Sequence, residues 1–208
     1  MARQRLTFRR LSGLDRSGPP PPQTRAGEPL RVWTIPNAIG LTRLGLVVLF
    51  LVLALRSKDG TEALPAVLFA VVAWGDYADG IAARVTGQYS RFGALLDPVV
   101  DRLLVICGIV VCWDFDLLPR WALALLVARE ALVLIAGRIA LRQGIELRIN
   151  WWGRLAVWPT MTALMAGLIA LRTTGAVLLY VGLAMSYLAL AEYVRDARRQ
   201  RREQAPST

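Results

Sequence analysis

Six apolar runs, each roughly 18 to 25 residues and so able to cross about 30 Å of hydrocarbon, decide what this chain can fold into. They cover Ile35 to Leu55, Leu64 to Ala83, Ala94 to Trp113, Leu117 to Leu141, Leu155 to Leu171 and Ala176 to Val194. Backbone amides cannot stay unpaired in lipid, so runs of this length predict helices rather than strands. Composition agrees: 55% of the 208 residues are apolar and none is histidine, which is too greasy for a soluble domain of this size. The expected fold class is an all-α integral membrane protein, a six-transmembrane-helix bundle over residues 31–196. It lies between a basic, Pro-rich tail at 1–30, expected to be disordered and cytoplasmic, and a basic cytoplasmic tail at 197–208. The N-terminal segment reads as no signal peptide, because its arginines are scattered and no cleavage-like site closes an apolar core. Cys107 and Cys112 both fall in the third run and read as packing residues, since a disulfide is out of place there.

The charges set an orientation. Six spans put both termini on one side, where seven arginines occupy the first 31 residues and five lie between Arg195 and Arg202. The same side receives the loops carrying Arg84 and Arg91, and Arg138, Arg142, Arg148 and Arg154. Opposite fall Arg56, Lys58, Arg120 and Arg172, mixed with Asp59, Glu62, Asp114 and Asp116. The positive-inside rule makes the first side cytoplasmic, in a bacterial-type cytoplasmic membrane. A net charge of +10 concentrated there meets anionic headgroups of membrane lipids. No nucleic-acid partner is expected, because no nucleic-acid fold motif accompanies the arginines.

Four aspartates interrupt the second and third runs. They form the pattern Asp76-x-x-Asp79-Gly80-x-x-Ala83-Arg84, eight residues, then Gly93-x-x-x-Asp97-x-x-x-Asp101. Carboxylates at membrane depth persist only with partners or a task. Residues three and four apart share a helix face, so each aspartate pair lines one stripe, and the short connection from Val85 to Phe92 makes the two helices antiparallel neighbours. Both pairs then lie at a similar depth below the cytoplasmic surface. Oxygen-only ligands without histidine or thiolate suit Mg²⁺ or Mn²⁺, and two such ions about 3.5 to 4 Å apart commonly bridge phosphate oxygens. Gly80 and Ala83 remove bulk beside the acids, and Arg84, one turn beyond Gly80, can hold a phosphate by paired hydrogen bonds. Small residues in a membrane helix more often serve packing. Eight specified positions, however, coincide by chance only on the order of once in 10⁹ starts. The parts describe a diphosphate site.

These eight residues, with their gaps, resemble the signature of the CDP-alcohol phosphatidyltransferases, and the resemblance covers about residues 30 to 196. It implies a six-helix membrane enzyme, often a homodimer, that displaces CMP from CDP-diacylglycerol with the hydroxyl of a polar or lipid acceptor alcohol. It further implies that Asp76, Asp79 and Asp97 hold two divalent cations, Mg²⁺ or Mn²⁺. Asp101 is implied as the catalytic base, also touching one ion. Gly80, Ala83 and Arg84 would contact the cytidine nucleotide, and Gly93 would permit close packing beside it.

Within that family, Thr34-Ile35-Pro36-Asn37 followed by Thr42-Arg43 resembles the start of phosphatidylglycerophosphate synthases, as does Leu96-Asp97-Pro98. Arg102 follows the fourth aspartate where those synthases carry Lys, a feature similar to actinobacterial CMP-forming cardiolipin synthases. The expected acceptor is sn-glycerol 3-phosphate, with phosphatidylglycerol as the alternative and inositol phosphate third. Arg129 is the leading acceptor-site candidate, since a buried arginine needs an anion and an acceptor phosphate supplies one. Arg154 and Arg43 are its candidate partners. The structural alternative for Arg129 is a pair with Glu130, which adjacency on a helix makes a poor match. Arg43 and Arg102 can instead snorkel to the headgroups. A small transporter using its carboxylates as an ion path is the competing class, supported by the acids alone, because no inverted repeat is evident. A catalytically inactive scaffold fits badly with an intact eight-residue pattern.

Overall fold

The computed structural model describes residues 29–142 and 151–204, all-helical apart from short connections. Among the described residues run six helices: α1 (Ile35–Arg56), α2 (Ala63–Thr86), α3 (Arg91–Asp114), α4 (Arg120–Arg142), α5 (Trp151–Leu168) and α6 (Arg172–Gln204). Each expected apolar run overlaps one helix, the fourth starting three residues before α4 and the fifth ending three residues beyond α5. Three stretches, Ile35–Arg56, Ala63–Thr86 and Arg172–Glu192, are long and apolar enough to cross a membrane, and Leu155–Leu168 is a shorter apolar helix. All but the last two residues of the expected N-terminal tail lie outside the described residues.

Local chemistry explains where the helices begin. Thr34 caps α1: its hydroxyl accepts the Asn37 amide at 3.3 Å, while its carbonyl takes the Ala38 amide at 3.0 Å. Pro36 and Pro65 sit in the first turns of α1 and α2, where a missing N–H costs nothing. Pro98 and Pro159 are different, lying inside α3 and α5. There each removes one amide from the helical ladder.

The chain divides into two compact units. The first holds residues up to 56 together with 63–107; the second holds 57–62 and the residues from 108 on. Helix α3 passes from one into the other. In the first unit α1 packs against α2, burying Val47, Phe50 and Ala54 with Ala66, Phe69 and Val72, and the Phe50 and Phe69 rings meet edge to face at 5.4 Å. In the second, α6 packs against α5 and α4. Gly182 and Gly175 permit this: a Cβ on Gly182 would stand 2.6 Å from the Thr160 hydroxyl, and one on Gly175 3.1 Å from the Ala163 carbonyl. Cys107 and Cys112 are buried free thiols, as expected of packing residues.

Outside these cores the helices expose large apolar side chains, among them Val48, Val71, Trp74, Leu132, Trp158 and Leu188. A water-facing surface of that kind marks an interaction with lipid or protein. Between α1 and α2 the connection is polar, with the Ser57 hydroxyl accepting the Gly60 amide and Asp59 accepting the Thr61 amide at 3.0 Å. The latter bond holds the Asp59 carboxyl below its ordinary range.

Candidate active site

Helix α1 buries the stripe Asn37, Gly40, Arg43, Val47, Phe50 and Ala54, one face at three- and four-residue spacing. Its second half is core. Its first half is polar or small, and Arg43 is its centre. The Arg43 side chain is only 3% exposed, yet every nitrogen of its guanidinium has an oxygen nearby. Nη1 donates to Asp79 Oδ2 at 2.7 Å, Nη2 to Asp101 Oδ1 at 2.8 Å, and Nε to the Val72 carbonyl at 3.1 Å. Asp76 Oδ1 lies 3.6 Å from Nη1. One arginine of α1 thus gathers acids from both α2 and α3.

The four aspartates differ in access. Asp79 is 5% exposed, whereas Asp76 and Asp101 are 53% and 43% exposed. Asp97 is half-buried, and its Oδ1 lies 3.8 Å from where a Cβ on Gly40 would stand, one turn before Arg43. All four therefore face the Gly40–Arg43 end of the α1 stripe. Arg43 was expected as an acceptor contact or a snorkelling side chain; here two of its guanidinium nitrogens lie on carboxylates and the third on the Val72 carbonyl.

Among the described residues no three Asp, Glu, His or Cys side chains converge on a common metal-ion position. The donor set nevertheless fits a hard divalent cation. It is all oxygen, two of its carboxylates are open to solvent, and four carboxyl groups against one guanidinium leave negative charge to be neutralised.

Beside the acids, the three atoms nearest to a Cβ built on Gly80 all belong to the Arg84 guanidinium, at 3.6 to 3.9 Å. Arg84 therefore folds back over Gly80, and among the described residues its buried Nε has no hydrogen-bond partner. Ala83 is half-buried on the same stretch of α2.

Gly93 has a local reason. A Cβ there would stand 2.6 Å from Asn37 Oδ1, which accepts the Ser90 hydroxyl at 2.9 Å, while Ser90 Oγ accepts the Gly93 amide at 2.9 Å. Asn37 Nδ2 donates to the Arg31 and Val32 carbonyls, and Gln88 Oε1 accepts the Ile35 amide. This clasp ties the segment before α1 to the loop between α2 and α3. Sequence reading named Asn37 only as part of a subfamily resemblance and missed Ser90 and Gln88; for Asn37, an Asn-x-x-Gly-x-x-Arg stripe starting an apolar helix was the available signal.

Arg129 lies on α4 in the second unit. Its Nη1 pairs with Glu130, which corrects the expectation that adjacency would keep them apart: both side chains are long enough to bend toward each other despite the 100° between their Cα–Cβ directions. Its Nε is buried and, among the described residues, has no hydrogen-bond partner. Arg154 falls in the first turn of α5, and its side chain lies outside the described residues. Arg102 is half-buried on α3.

Residues 33–188 match the family model described as CDP-alcohol phosphatidyltransferase. Over 147 residues the chain is 29% identical to the CDP-diacylglycerol–glycerol-3-phosphate 3-phosphatidyltransferase of Bacillus subtilis, covering 65% of this chain and 76% of that protein. It is 37% identical over 137 residues to a CMP-forming cardiolipin synthase of Streptomyces coelicolor, covering 64% of each. To a probable phosphatidylglycerophosphate synthase of Mycobacterium tuberculosis it is 30% identical over 149 residues, 70% of this chain and 69% of the other.

Proposed function

Because the chain belongs to the CDP-alcohol phosphatidyltransferase family, we propose that it moves a phosphatidyl group from CDP-diacylglycerol to a hydroxyl of sn-glycerol 3-phosphate, releasing CMP. The observation that carries this reading is the meeting of Asp76, Asp79 and Asp101, from two helices, around one guanidinium. Asp76, Asp79 and Asp97, with an oxygen of Asp101, are the residues that would hold two divalent cations, Mg²⁺ or Mn²⁺; when bound, such ions neutralise charge building on a diphosphate. Asp101, open to solvent on one side, takes the proton of the acceptor hydroxyl. The hydroxyl oxygen bonds to the lipid-proximal phosphorus, the bond from that phosphorus to the bridging oxygen breaks, and CMP leaves with the electron pair. Arg84 turns its unpartnered Nε to a nucleotide phosphate, with Gly80 and Ala83 leaving room for the nucleotide. In this reading all six helices span a bacterial-type cytoplasmic membrane, the aspartates open to the cytoplasm, and the enzyme is a homodimer.

Transfer to phosphatidylglycerol, giving cardiolipin, is the second reading. Two observations favour it: Arg102 after the fourth aspartate, and the 37% identity to a protein named a cardiolipin synthase. Purified protein assayed with CDP-diacylglycerol and each of glycerol 3-phosphate, phosphatidylglycerol and inositol phosphate, with the lipid product identified by mass, separates them. Phosphatidylglycerophosphate and CMP, formed with Mg²⁺ or Mn²⁺ and not with a chelator, are the expected products. Cardiolipin as the sole product would select the second reading, and no CMP release with any acceptor would overturn both. The same assay tests Arg129. As an acceptor-phosphate ligand, its replacement by Ala raises the KM for glycerol 3-phosphate roughly 10-fold to 150-fold and leaves that for CDP-diacylglycerol unchanged. Wild-type kinetics would confine it to its Glu130 pair.

A further inference from the structure

The geometry points to Arg43 as the positioning residue of the carboxylate array and to Gly75 as the slot that lets it reach the acids, so that Arg43 serves the aspartates and not the acceptor. The inference rests on the phosphatidyl-transfer reading for its kinetic consequences, though not for its structural ones. Arg43 approaches α2 from α1 directly across Gly75. A Cβ there would stand 2.8 Å from Arg43 Cδ, 3.0 Å from Nε and 3.1 Å from Cγ, so a larger residue must shift the Arg43 stem and the Nε that leads into its fork. Its planar fork then spans two helices, Nη1 on Asp79 and Nη2 on Asp101, while Nε is fixed by the Val72 carbonyl. That third bond sets the plane of the fork, which a lysine ammonium cannot reproduce.

Two consequences follow from the bonding. Asp101 has one oxygen tied to Arg43, so the carboxyl cannot rotate freely, and the reacting hydroxyl meets a group held at one orientation. A misplacement of such a group by about 1 Å costs up to roughly 100-fold in rate. Arg43 is also the positive charge nearest to Asp79, a carboxylate that is 5% exposed. Without it, an added cation must supply more of the charge that balances that carboxylate. Divalent ions and the Arg43 guanidinium therefore support the same acids.

Kinetics, a mutant cycle and thermal unfolding in detergent test this together. Arg43→Lys should lower kcat by about 10-fold to 100-fold with the acceptor KM within about threefold of wild type. Gly75→Ala should lower kcat similarly. In the Arg43→Ala background it should change kcat by less than about threefold, because the slot is no longer used. Arg43→Gln should lose more thermal stability on chelation of divalent ions than the wild-type protein does. A rise in acceptor KM with kcat kept would make Arg43 an acceptor ligand and overturn the proposal. Multiplicative effects of Gly75→Ala and Arg43→Ala would overturn the slot. Equal chelator sensitivity of Arg43→Gln and wild type would overturn the shared support of the acids. If wild-type protein transfers no phosphatidyl group to any acceptor, the function reading fails by itself, and the chelator comparison still decides whether Arg43 balances the aspartates.

Discussion

Asp79 and Asp101 share a partner and differ in what their loss should do. Asp79 is the buried member, and Asp79→Ala leaves Nη1 of the equally buried Arg43 with only the longer contact to Asp76 at 3.6 Å. Removing one partner of a buried ion pair typically costs about 3 to 5 kcal/mol, so this variant should unfold at markedly lower temperature. Asp101→Asn keeps a carbonyl oxygen for Arg43 Nη2 and sits at a half-exposed position, so the fold should survive while transfer is lost. Circular-dichroism melts and single-turnover CMP release on the two variants check the contrast. An Asp101→Asn enzyme with wild-type turnover would remove the base from the mechanism. The spacing of the acids was legible in the sequence because helical periodicity alone puts Asp76 with Asp79 and Asp97 with Asp101. The place of Arg43 was not. An arginine in an apolar helix satisfies a headgroup, a substrate phosphate or a carboxylate equally well on paper, and only the approach of α1 across Gly75 selects the third. Gly93 was expected to permit close packing, and the neighbour that leaves no room for a side chain there is the Asn37 amide oxygen.

Helix starts were legible for α1 and α2, whereas α3, α4, α5 and α6 begin three or four residues from the starts of the expected runs. Thr34, Pro36 and Pro65 are recognisable start signals, and α1 and α2 begin where they indicate. The end of α5 was missed. The apolar run continues to Leu171, but the helix stops at Leu168. There Leu171 N–H bonds back to the Ala166 carbonyl at 2.8 Å and Ala170 N–H to Gly167 at 3.0 Å, with Ala170 at φ +63°. This is the Schellman arrangement, which ordinarily takes glycine at the left-handed position. Alanine gives no such warning in a sequence. After α3, Asp116 plays the same part at φ +53°, with Leu117 N–H on the Cys112 carbonyl at 2.9 Å. A left-handed residue with a Cβ costs about 1 to 2 kcal/mol, so Ala170→Gly should stabilise the protein by a net of about 1 kcal/mol once the roughly 0.4 to 1 kcal/mol that glycine gains in the unfolded chain is subtracted. For a chain of this length that is a rise of about 2 to 4 °C in Tm, measurable in detergent by differential scanning fluorimetry. A lower Tm would mean that the Ala170 methyl makes packing contacts worth more than the strain it brings.

The whole molecule must place its charges as well as its helices. Large apolar side chains cover the outside of the helices, while the acids and Arg43 are turned onto one end of the α1 stripe. In the first unit that distribution fits lipid-facing helices with a polar mouth. Which way the mouth faces is a matter of the loops, and their arginines argue for the cytoplasm. The connection between α2 and α3, with Arg84 and Arg91 at its edges, should be inside; the connection between α1 and α2, where Asp59 and Glu62 offset Arg56 and Lys58, should be outside. Both native cysteines are buried, so introduced ones can be labelled against a low background. Lys58 and Thr86 are exposed positions in or next to the two connections. In intact cells a membrane-impermeant maleimide should label Lys58→Cys and spare Thr86→Cys, and lysis should make Thr86→Cys reactive. Labelling of both in intact cells would break the alternation that six spans require between these two loops. Labelling of Thr86→Cys alone would invert the protein and set its aspartates on the face away from the cytoplasm, where CDP-diacylglycerol headgroups and glycerol 3-phosphate would have to be supplied from the other leaflet.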